Sequence, residues 1–556
     1  MLFRTLGLFA LSGLALAQST PQPGITVYQP GASTTAYAVD LAGNVVNTWP
    51  GTTTPGSAVY MAPNGDLVRT KNLGPGIGGG GAGGGLERVS WDGQLLWDFS
   101  YDSATVHAHH DIALMPNGNV LMIAWEDIGP TLAIAAGRDP STAGTDFWSE
   151  HIIEVEPDGN GGASVVWEWH AFDHLVQKRD PNLPNYDLPE NRPERIHINY
   201  PVGNVGSGGD WLHFNGIDYN AELDQIVVSS RTMNEVWILD HSTTTLEAAG
   251  STGGLRGRGG DLLYRWGNPE AYGLGAIADR QLYGQHDCQW IAAGLPGAGH
   301  LLVFNNGSGR PGGNYSSADE IVPPINSGGT YDLLPQGTYG PSAALASITH
   351  PSPMTFYSAN TSGCQRLANG NTMLVRGDMG FFIEIDPMGA LVWSFQNPFP
   401  AQGIKRTFKG RRHDGGVVGL AYCNPAEVNS TGVSGTLQAV GSVVPSENSL
   451  TLWAEHLPQG EFGFFLNGTG NSVTPMAGGS AGTLCLSNSI GRYNGIAQVF
   501  QVGAPGTASL ALDLGNTPTP GGPVAVSAGQ TWYFQCWYRD TPAMTSNFTN
   551  AVEVAF

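Results

Sequence analysis

Charge is scarce in this chain. Asp, Glu, Lys and Arg make up 13% of its 556 residues, and 46 acidic side chains face 24 basic ones for a net charge of −22. That balance excludes a nucleic-acid partner, because phosphate backbones are held by surplus Lys and Arg. An anionic small molecule has to be met by a local cluster instead. Cysteine is scarce as well. Cys288, Cys364, Cys423, Cys485 and Cys536 are an odd number, and no two have CxxC spacing, which removes thiolate metal centres and dithiol redox motifs. Cys485 and Cys536 are the expected disulfide pair, since both lie in apolar strand-like runs. No apolar run is long enough for a membrane helix. The glycine-rich run Gly74–Gly85 has no Lys-Ser or Lys-Thr after it, so it is not a phosphate loop and reads as a flexible insertion between strands.

The N-terminus carries Arg4, an apolar stretch from Leu6 to Leu16, and the small-x-small sequence Ala15-Leu16-Ala17. These features predict a signal peptide over residues 1–17 and a mature chain that is secreted, periplasmic or held at the cell surface.

With 79 Gly and 37 Pro, the composition is that of a turn-rich β protein. A repeat organises the first 420 residues. Each unit is an apolar strand, a Pro-Asn-Gly turn, a second strand, a third strand, a Gly turn, and a strand ending in Trp. Pro63-Asn64-Gly65-Asp66, Pro116-Asn117-Gly118-Asn119 and Ala368-Asn369-Gly370-Asn371 are copies of the first turn. Asn-Gly between apolar runs is a hairpin signal, because both residues tolerate positive φ. Trp91-Asp92-Gly93 before Leu95-Leu96-Trp97, Pro157-Asp158-Gly159 before Val165-Val166-Trp167, and Pro387-Met388-Gly389 before Leu391-Val392-Trp393 are copies of the second half. Four short strands per unit describe propeller blades. Units begin near Ser57, His109, His213, His286 and Ser362, and strands at Tyr37–Trp49 are expected to close a sixth with the segment before Leu420. The fold expected is all-β: a six-bladed β-propeller over residues 25–420. From Leu420 to Phe556 the only basic residues are Arg492 and Arg539, and alternating Ser/Thr/Gly-rich runs predict a separate β-sandwich over 421–556.

Histidines recur at one place in the repeat. His109-His110-Asp111, His213-Phe214-Asn215-Gly216 and Gln285-His286-Asp287-Cys288 each open a unit. Aligned on the turns, His110, Asn215 and His286 share a register, and His213 stands two residues earlier. In a propeller the first strand of each blade lines the channel, so these side chains are expected to converge. Arg231 ends the hairpin that His213 begins, which brings a forked donor to the same rim. Imidazoles with a guanidinium suit an anion. The histidines with their neighbouring aspartates also suit zinc or manganese, although no helical His-x-x-x-His pair or carboxylate-rich cage is present.

These motifs resemble those of the bacterial arylsulfate sulfotransferases. The resemblance rests on His213-Phe214-Asn215 with Asp218-Tyr219, on Ser229-Ser230-Arg231, on Gln285-His286-Asp287, and on Phe356-Tyr357-Ser358 through Ser362-Gly363-Cys364-Gln365-Arg366 and on to Thr372, and it covers about residues 30–420. It implies a six-bladed propeller that moves a sulfuryl group from an aryl sulfate to a phenolic acceptor, without metal, nucleotide or other cofactor. By position it implies His286 as the nucleophile that is transiently sulfated. His213, Asn215 and Arg231 match the sulfate-binding residues, His109 or His110 the remaining histidine, and Ser362 with Thr361 the hydroxyl position. Two other readings compete: a non-catalytic propeller that binds a ligand or partner, and a metal-dependent lyase or hydrolase on the same scaffold.

Overall fold

A computed structural model describes residues 20–74, 79–201, 209–504 and 506–556. The signal segment 1–17 lies outside them, as do residues 75–78 of the glycine-rich run. The chain is nearly all β, as its composition implies.

Up to His413 the strands form six four-stranded antiparallel meanders among the described residues, with a short parallel pair, Leu175–Val176 and Ile196–His197, beside them. The first contains Ile25–Pro30, Ala36–Val39 and Val45–Trp49, with Thr407–His413 added to its edge. The second and third begin at Pro55–Met61 and Val106–Leu114, and a parallel bridge between Ser57 and His110 joins them into one eight-stranded sheet. The fourth, fifth and sixth begin at Phe214–Asn220, His286–Trp290 and Gly363–Arg366. The first strands of successive meanders touch in order, and Thr407–His413 touches both Gly363–Arg366 and Pro55–Met61, so the inner strands close a ring. The arrangement is propeller-like.

Each repeated sequence feature has a physical task in this ring. Gly65, Gly118 and Gly370 take φ near +90° in the hairpin turns, a region open to glycine. The repeated tryptophans lock neighbouring sheets. The indole N–H of Trp49 donates to Ser90 O (3.0 Å), that of Trp167 to Thr243 Oγ1 (3.3 Å), and that of Trp393 to Leu41 O (2.8 Å), each partner lying in the next meander. Aspartates do the same nearer the axis. Asp111 accepts from Ile217 N (3.2 Å), Asp218 from Trp290 N (2.8 Å), and Asp287 from Cys364 N (2.8 Å).

Across the ring Lys409 Nζ bonds Asp111 Oδ2 (2.7 Å) and Asp287 Oδ1 (3.0 Å), and Arg411 grips Asp287 with both terminal nitrogens. Burial alone would raise the Asp287 pKa. Arg411 and then Lys409 outweigh it and hold the carboxyl below the ordinary range. Breaking a buried pair of this kind costs about 3–5 kcal/mol, because one charge stays behind unpaired.

The C-terminal part is two sheets packed face to face. Gly416–Val418, Thr436–Gly441, Leu450–Glu455 and Ala508–Leu512 form one; Leu420–Tyr422, Thr545–Ala555, Thr531–Asp540, Phe462–Gly468 and Gly491–Tyr493 form the core of the other. Leu437, Leu452, Phe465, Trp532 and Phe534 meet between them. These sheets begin at Gly416, a few residues before the change in composition at Leu420. The expected Cys485–Cys536 pair does not form. Cys485 is bonded to Cys423, and Cys536 is free and buried. The reason is strand alternation. Gln535 is the residue that faces the Cys485 strand, accepting from Cys485 N at 2.8 Å, so Cys536 points the other way, into the core between the sheets.

Candidate active site

The inner strands are irregular where they reach the axis. His110 and His213 have φ of 48° and 49°, Asp287 53° and Thr361 58°, in a region that costs a side chain with Cβ of order 1–3 kcal/mol. The ladders slip at the same points, between Ala108 and Ile112, Phe214 and Ile217, and His286 and Cys288. A bulge of this kind turns a side chain out of the sheet. Here it turns three imidazoles toward one cavity of about 570 Å³, lined by His110, His213, Arg231 and His286, with Asn360, Thr361, Arg406 and Phe408.

His286 is fixed at both ring nitrogens. Asn306 donates through Nδ2 to Ser358 O (2.8 Å) and Thr361 O (3.1 Å), which leaves its Oδ1 to accept from His286 Nδ1 at 2.7 Å. The Nδ1–H tautomer follows, and the Nε2 lone pair accepts from Thr361 N (3.1 Å). Burial first, then the charge of Arg231, pushes the His286 pKa well below the usual histidine value. His286 is therefore a neutral imidazole at neutral pH.

His213 gives Nδ1 to Asp210 Oδ2 (2.5 Å), and Asp210 Oδ1 accepts from the Trp125 indole N–H (3.1 Å). The His110 and His213 rings meet edge to face with centroids 4.7 Å apart. The sequence left His109 and His110 as alternatives; the geometry separates them. His110 lines the cavity, whereas His109 lies behind it, stacked on Trp125 at 4.0 Å. His109 Nδ1 is 2.8 Å from His110 Nδ1, and its Nε2 is 2.8 Å from Glu150 Oε2. Burial, with Asp210 nearby, raises the Glu150 pKa well above the carboxylate range, and burial lowers those of both histidines. Glu150, His109 and His110 thus form one hydrogen-bonded chain, and when Glu150 holds its proton each hydrogen points toward the cavity, with His110 Nε2 carrying the last one into it.

Two expected ligand residues are elsewhere. Asn215 is fully buried and donates to Gln285 O (2.9 Å), so it positions the strand that carries His286 and does not line the cavity. Ser362 accepts from Gly377 N (2.9 Å) and is likewise outside the lining; Thr361 beside it is inside. The glycine-rich run is not a loose insertion over its described part. Gly79 to Ala82 form a wall of the cavity, Gly81 O accepts from His110 N (2.9 Å), and Gly84–Val89 is a strand. Gly81 has φ +89°, and a Cβ there would fall 2.2 Å from the His110 ring. Sequence reading also missed Trp125, Glu150, Asp210, Asn306, Arg406 and Phe408.

In a chain with a net charge of −22 the cavity has, among the described residues, no Asp or Glu in its lining, but two arginines and three imidazoles. It is shaped for an anion, with Phe408, Ile404 and Pro55 as apolar surface beside it. Residues 15–322, more than half of the chain, match the family model described as Arylsulfotransferase (ASST). The chain belongs to the arylsulfotransferase family. The matched region of this arylsulfotransferase carries His110, His213, Arg231 and His286, and ends before Asn360, Thr361, Arg406 and Phe408. The arylsulfate sulfotransferase AssT of Escherichia coli O6:H1 is 29% identical over 238 residues, which is 39% of this chain and 37% of that protein. The match thus spans well under half of the relative. Among solved structures, a protein of unknown function from Bacteroides caccae is 12% identical, covers 70% of this chain and 100% of its own, and has a TM-score of 0.39. Virginiamycin B lyase from Staphylococcus aureus is 12% identical over 68% of this chain and 85% of its own, with a TM-score of 0.31. Likenesses this distant carry no argument.

Proposed function

We propose that this arylsulfotransferase moves a sulfuryl group from an aryl sulfate to a phenolic acceptor through a sulfated His286, without a nucleotide donor. The observation that carries the reading is the acid-free cavity with a neutral His286 at its wall. Each meander is read as one blade of a six-bladed propeller whose axis holds the site. Nε2 of His286 attacks sulfur, the S–O bond to the aryl group breaks as the N–S bond forms, and the phenolate leaves with a proton from His110 Nε2. Glu150 and His109 resupply that proton by shifting one hydrogen along each of their two contacts. Arg231 offers a forked donor to the sulfuryl oxygens, and Thr361 N–H is released from Nε2 to join it. His213, held at Nδ1 by Asp210, orients the sulfuryl group from the cavity wall beside His110 and takes no proton in either half. The second half runs in reverse, with the acceptor phenol giving its proton to His110. Splitting one displacement into two lowers each barrier, and an anionic in-line transfer is stabilised by placed cations, by analogy with phosphoryl transfer.

Work outside the cytoplasm is part of the proposal. It rests on the apolar Leu6–Leu16 run with Ala15-Leu16-Ala17, and the Cys423–Cys485 disulfide suits an oxidising compartment. The test is to mix the protein with an aryl sulfate and analyse its peptides by mass. One SO₃ on the His286 peptide, discharged by added phenol, is the expected result. Phenol release with no label on His286 moves the nucleophile elsewhere, and no release at all turns the site into an anion-binding one.

A further inference from the structure

On the face of the third meander turned away from the cavity, three strands bring together a second cluster. Glu126, His151 and His170 lie on Val120–Asp127, Trp148–Pro157 and Ala163–His170, and one donor atom from each comes within 4.8 Å of the others. The register accounts for the meeting. His151 is directly opposite His170, and Glu126 is opposite Ser149, two residues before His151 on the same face. Glu168 shares the face of His170, with Oε2 at 3.4 Å from His170 Nε2.

The cluster is incompletely bonded for its burial. His151 is fully buried, and its Nδ1 has no hydrogen-bond partner; Glu126 Oε1 and Ser149 Oγ are also buried without partners. Buried polar groups are nearly always satisfied, so several orphans on one face point to a missing ligand. The other nitrogen of His151 is already held, with Nε2 3.0 Å from the Tyr101 hydroxyl. That is the arrangement of a metal-ligating histidine, one nitrogen fixed by an outer partner and the other free. Glu126 Oε2 meets His170 Nδ1 at 2.9 Å, and both side chains keep some exposure, which leaves an entry for an ion.

We infer that Glu126, His151 and His170 bind a divalent first-row transition ion, zinc being the first choice, at a site separate from the His286 cavity. Two imidazoles and one carboxylate are a ligand set for such ions, with the fourth position left to Glu168 or water. Magnesium and calcium prefer all-oxygen sets. The place of the site gives the ion a structural task. Trp125 and Glu150, next in sequence to Glu126 and His151, sit on the opposite face and hold His109 by stacking and hydrogen bonding. An ion tying the three strands would stiffen the shelf behind His110.

The inference does not depend on the proposed activity, and its test needs none. The full chain, stripped with a chelator, is titrated with Zn²⁺, Co²⁺, Fe²⁺ and Mg²⁺ in separate runs, by calorimetry with a competing chelator and by Co²⁺ absorption. The expected result is one equivalent of Zn²⁺ or Co²⁺, visible Co²⁺ bands, and a rise in Tm on loading. Glu126→Gln and His170→Gln should each weaken binding by roughly 100-fold or more, above the about 10–100-fold that losing an outer-shell partner brings. His286→Ala should leave the equivalent in place, since its cavity is a different site. No uptake by the wild type, uptake of Mg²⁺ alone, unchanged binding in the two ligand variants, or loss of the equivalent in His286→Ala would each overturn it. Should the ligand variants fail to fold, the Co²⁺ spectrum and X-ray absorption of the loaded wild type decide instead. Two imidazoles on the ion uphold the site, and oxygen-only ligation ends it.

Discussion

Asn306 Oδ1 sits 2.7 Å from His286 Nδ1, and its own amide is pinned by the carbonyls of Ser358 and Thr361. A neutral side chain thus decides which nitrogen of the histidine keeps its lone pair. Asn306→Ala should free the ring to take either tautomer and slow labelling of His286 by roughly 10²-fold, and lower Tm as well, because the buried carbonyls of Ser358 and Thr361 lose their donor. Asn306→Asp, which keeps an acceptor, should recover part of the loss. Equal labelling in all three proteins would remove tautomer control from the mechanism.

Replacing His286 by Ala should abolish the phenol burst, a loss on the order of 10³-fold or more. Arg231→Lys should be nearly as damaging, since a point charge lacks the fork that holds two oxygens. His213→Ala should slow transfer and still allow weak labelling of His286. Asn215→Ala should act more mildly and with a cost in Tm, because Asn215 holds the Gln285 carbonyl and not the substrate. Burst amplitudes and melting curves measured together separate these cases.

Glu150→Gln keeps the orientation of the His109–His110 pair and removes the exchangeable proton. Turnover of donors with poorly acidic phenols should fall by about 10²-fold, a usual size for acid catalysis, while donors with strongly acidic phenols should be almost unaffected. A uniform loss across leaving groups would mean that Glu150 only packs.

Acid should destabilise this protein early. His109, His110 and His286 are pushed well below the ordinary histidine pKa, and His197 and His413 to about 4, each by burial first. Between these depressed values and the unfolded value of about 6.5, the unfolded chain binds more protons than the folded one. Stability is then full above about pH 6.5 and falls as the pH drops through that window, by up to about 1.4 kcal/mol per unit for each such histidine. His241, raised to about 9 against the opposition of burial by its bonds to Asp224 and Glu154, acts the other way: its contribution is full below about pH 6.5 and is lost as the pH rises to about 9. Denaturant midpoints measured from pH 8 to pH 4 should show a steep acid slope, and a flat profile would contradict the buried neutral histidines.

Gly81→Ala tests the wall. With a Cβ 2.2 Å from the His110 ring and φ at +89°, either the loop or the ring has to move. Loss of most of the burst with a small change in Tm is expected.

Much of the fold was legible because its signals are local. Asn-Gly turns and strand-ending tryptophans recur at fixed offsets, and each has one local or nearest-neighbour task. The site histidines were legible for the same reason, since each opens a repeat. What escaped was whatever depends on which strands become neighbours. Asp210, Glu150, Trp125 and Asn306 have no motif, and their roles follow only once the third, fourth and fifth meanders share an axis. Asn215 looked equivalent to His110 by turn alignment, yet the bulges at Ala108–Ile112 and Phe214–Ile217 give His213 that place. The disulfide failed through strand alternation, which places Gln535 and not Cys536 opposite Cys485.

Arg412 Nε donates to Thr26 Oγ1, 386 residues away, and the strands that carry them close the ring. Time therefore enters the fold. At 5–20 residues per second, about 20–80 s of synthesis separate the first strand from its partner. For that interval the nascent chain is an open arc with two unpaired edges, one of them the strand Ile25–Pro30 that is wholly buried in the finished fold, and such edges template aggregation. An early stop or a slow passage before His413 would strand it in that state, so the seven residues Thr407–His413 act as a clasp on which the yield of the whole molecule depends.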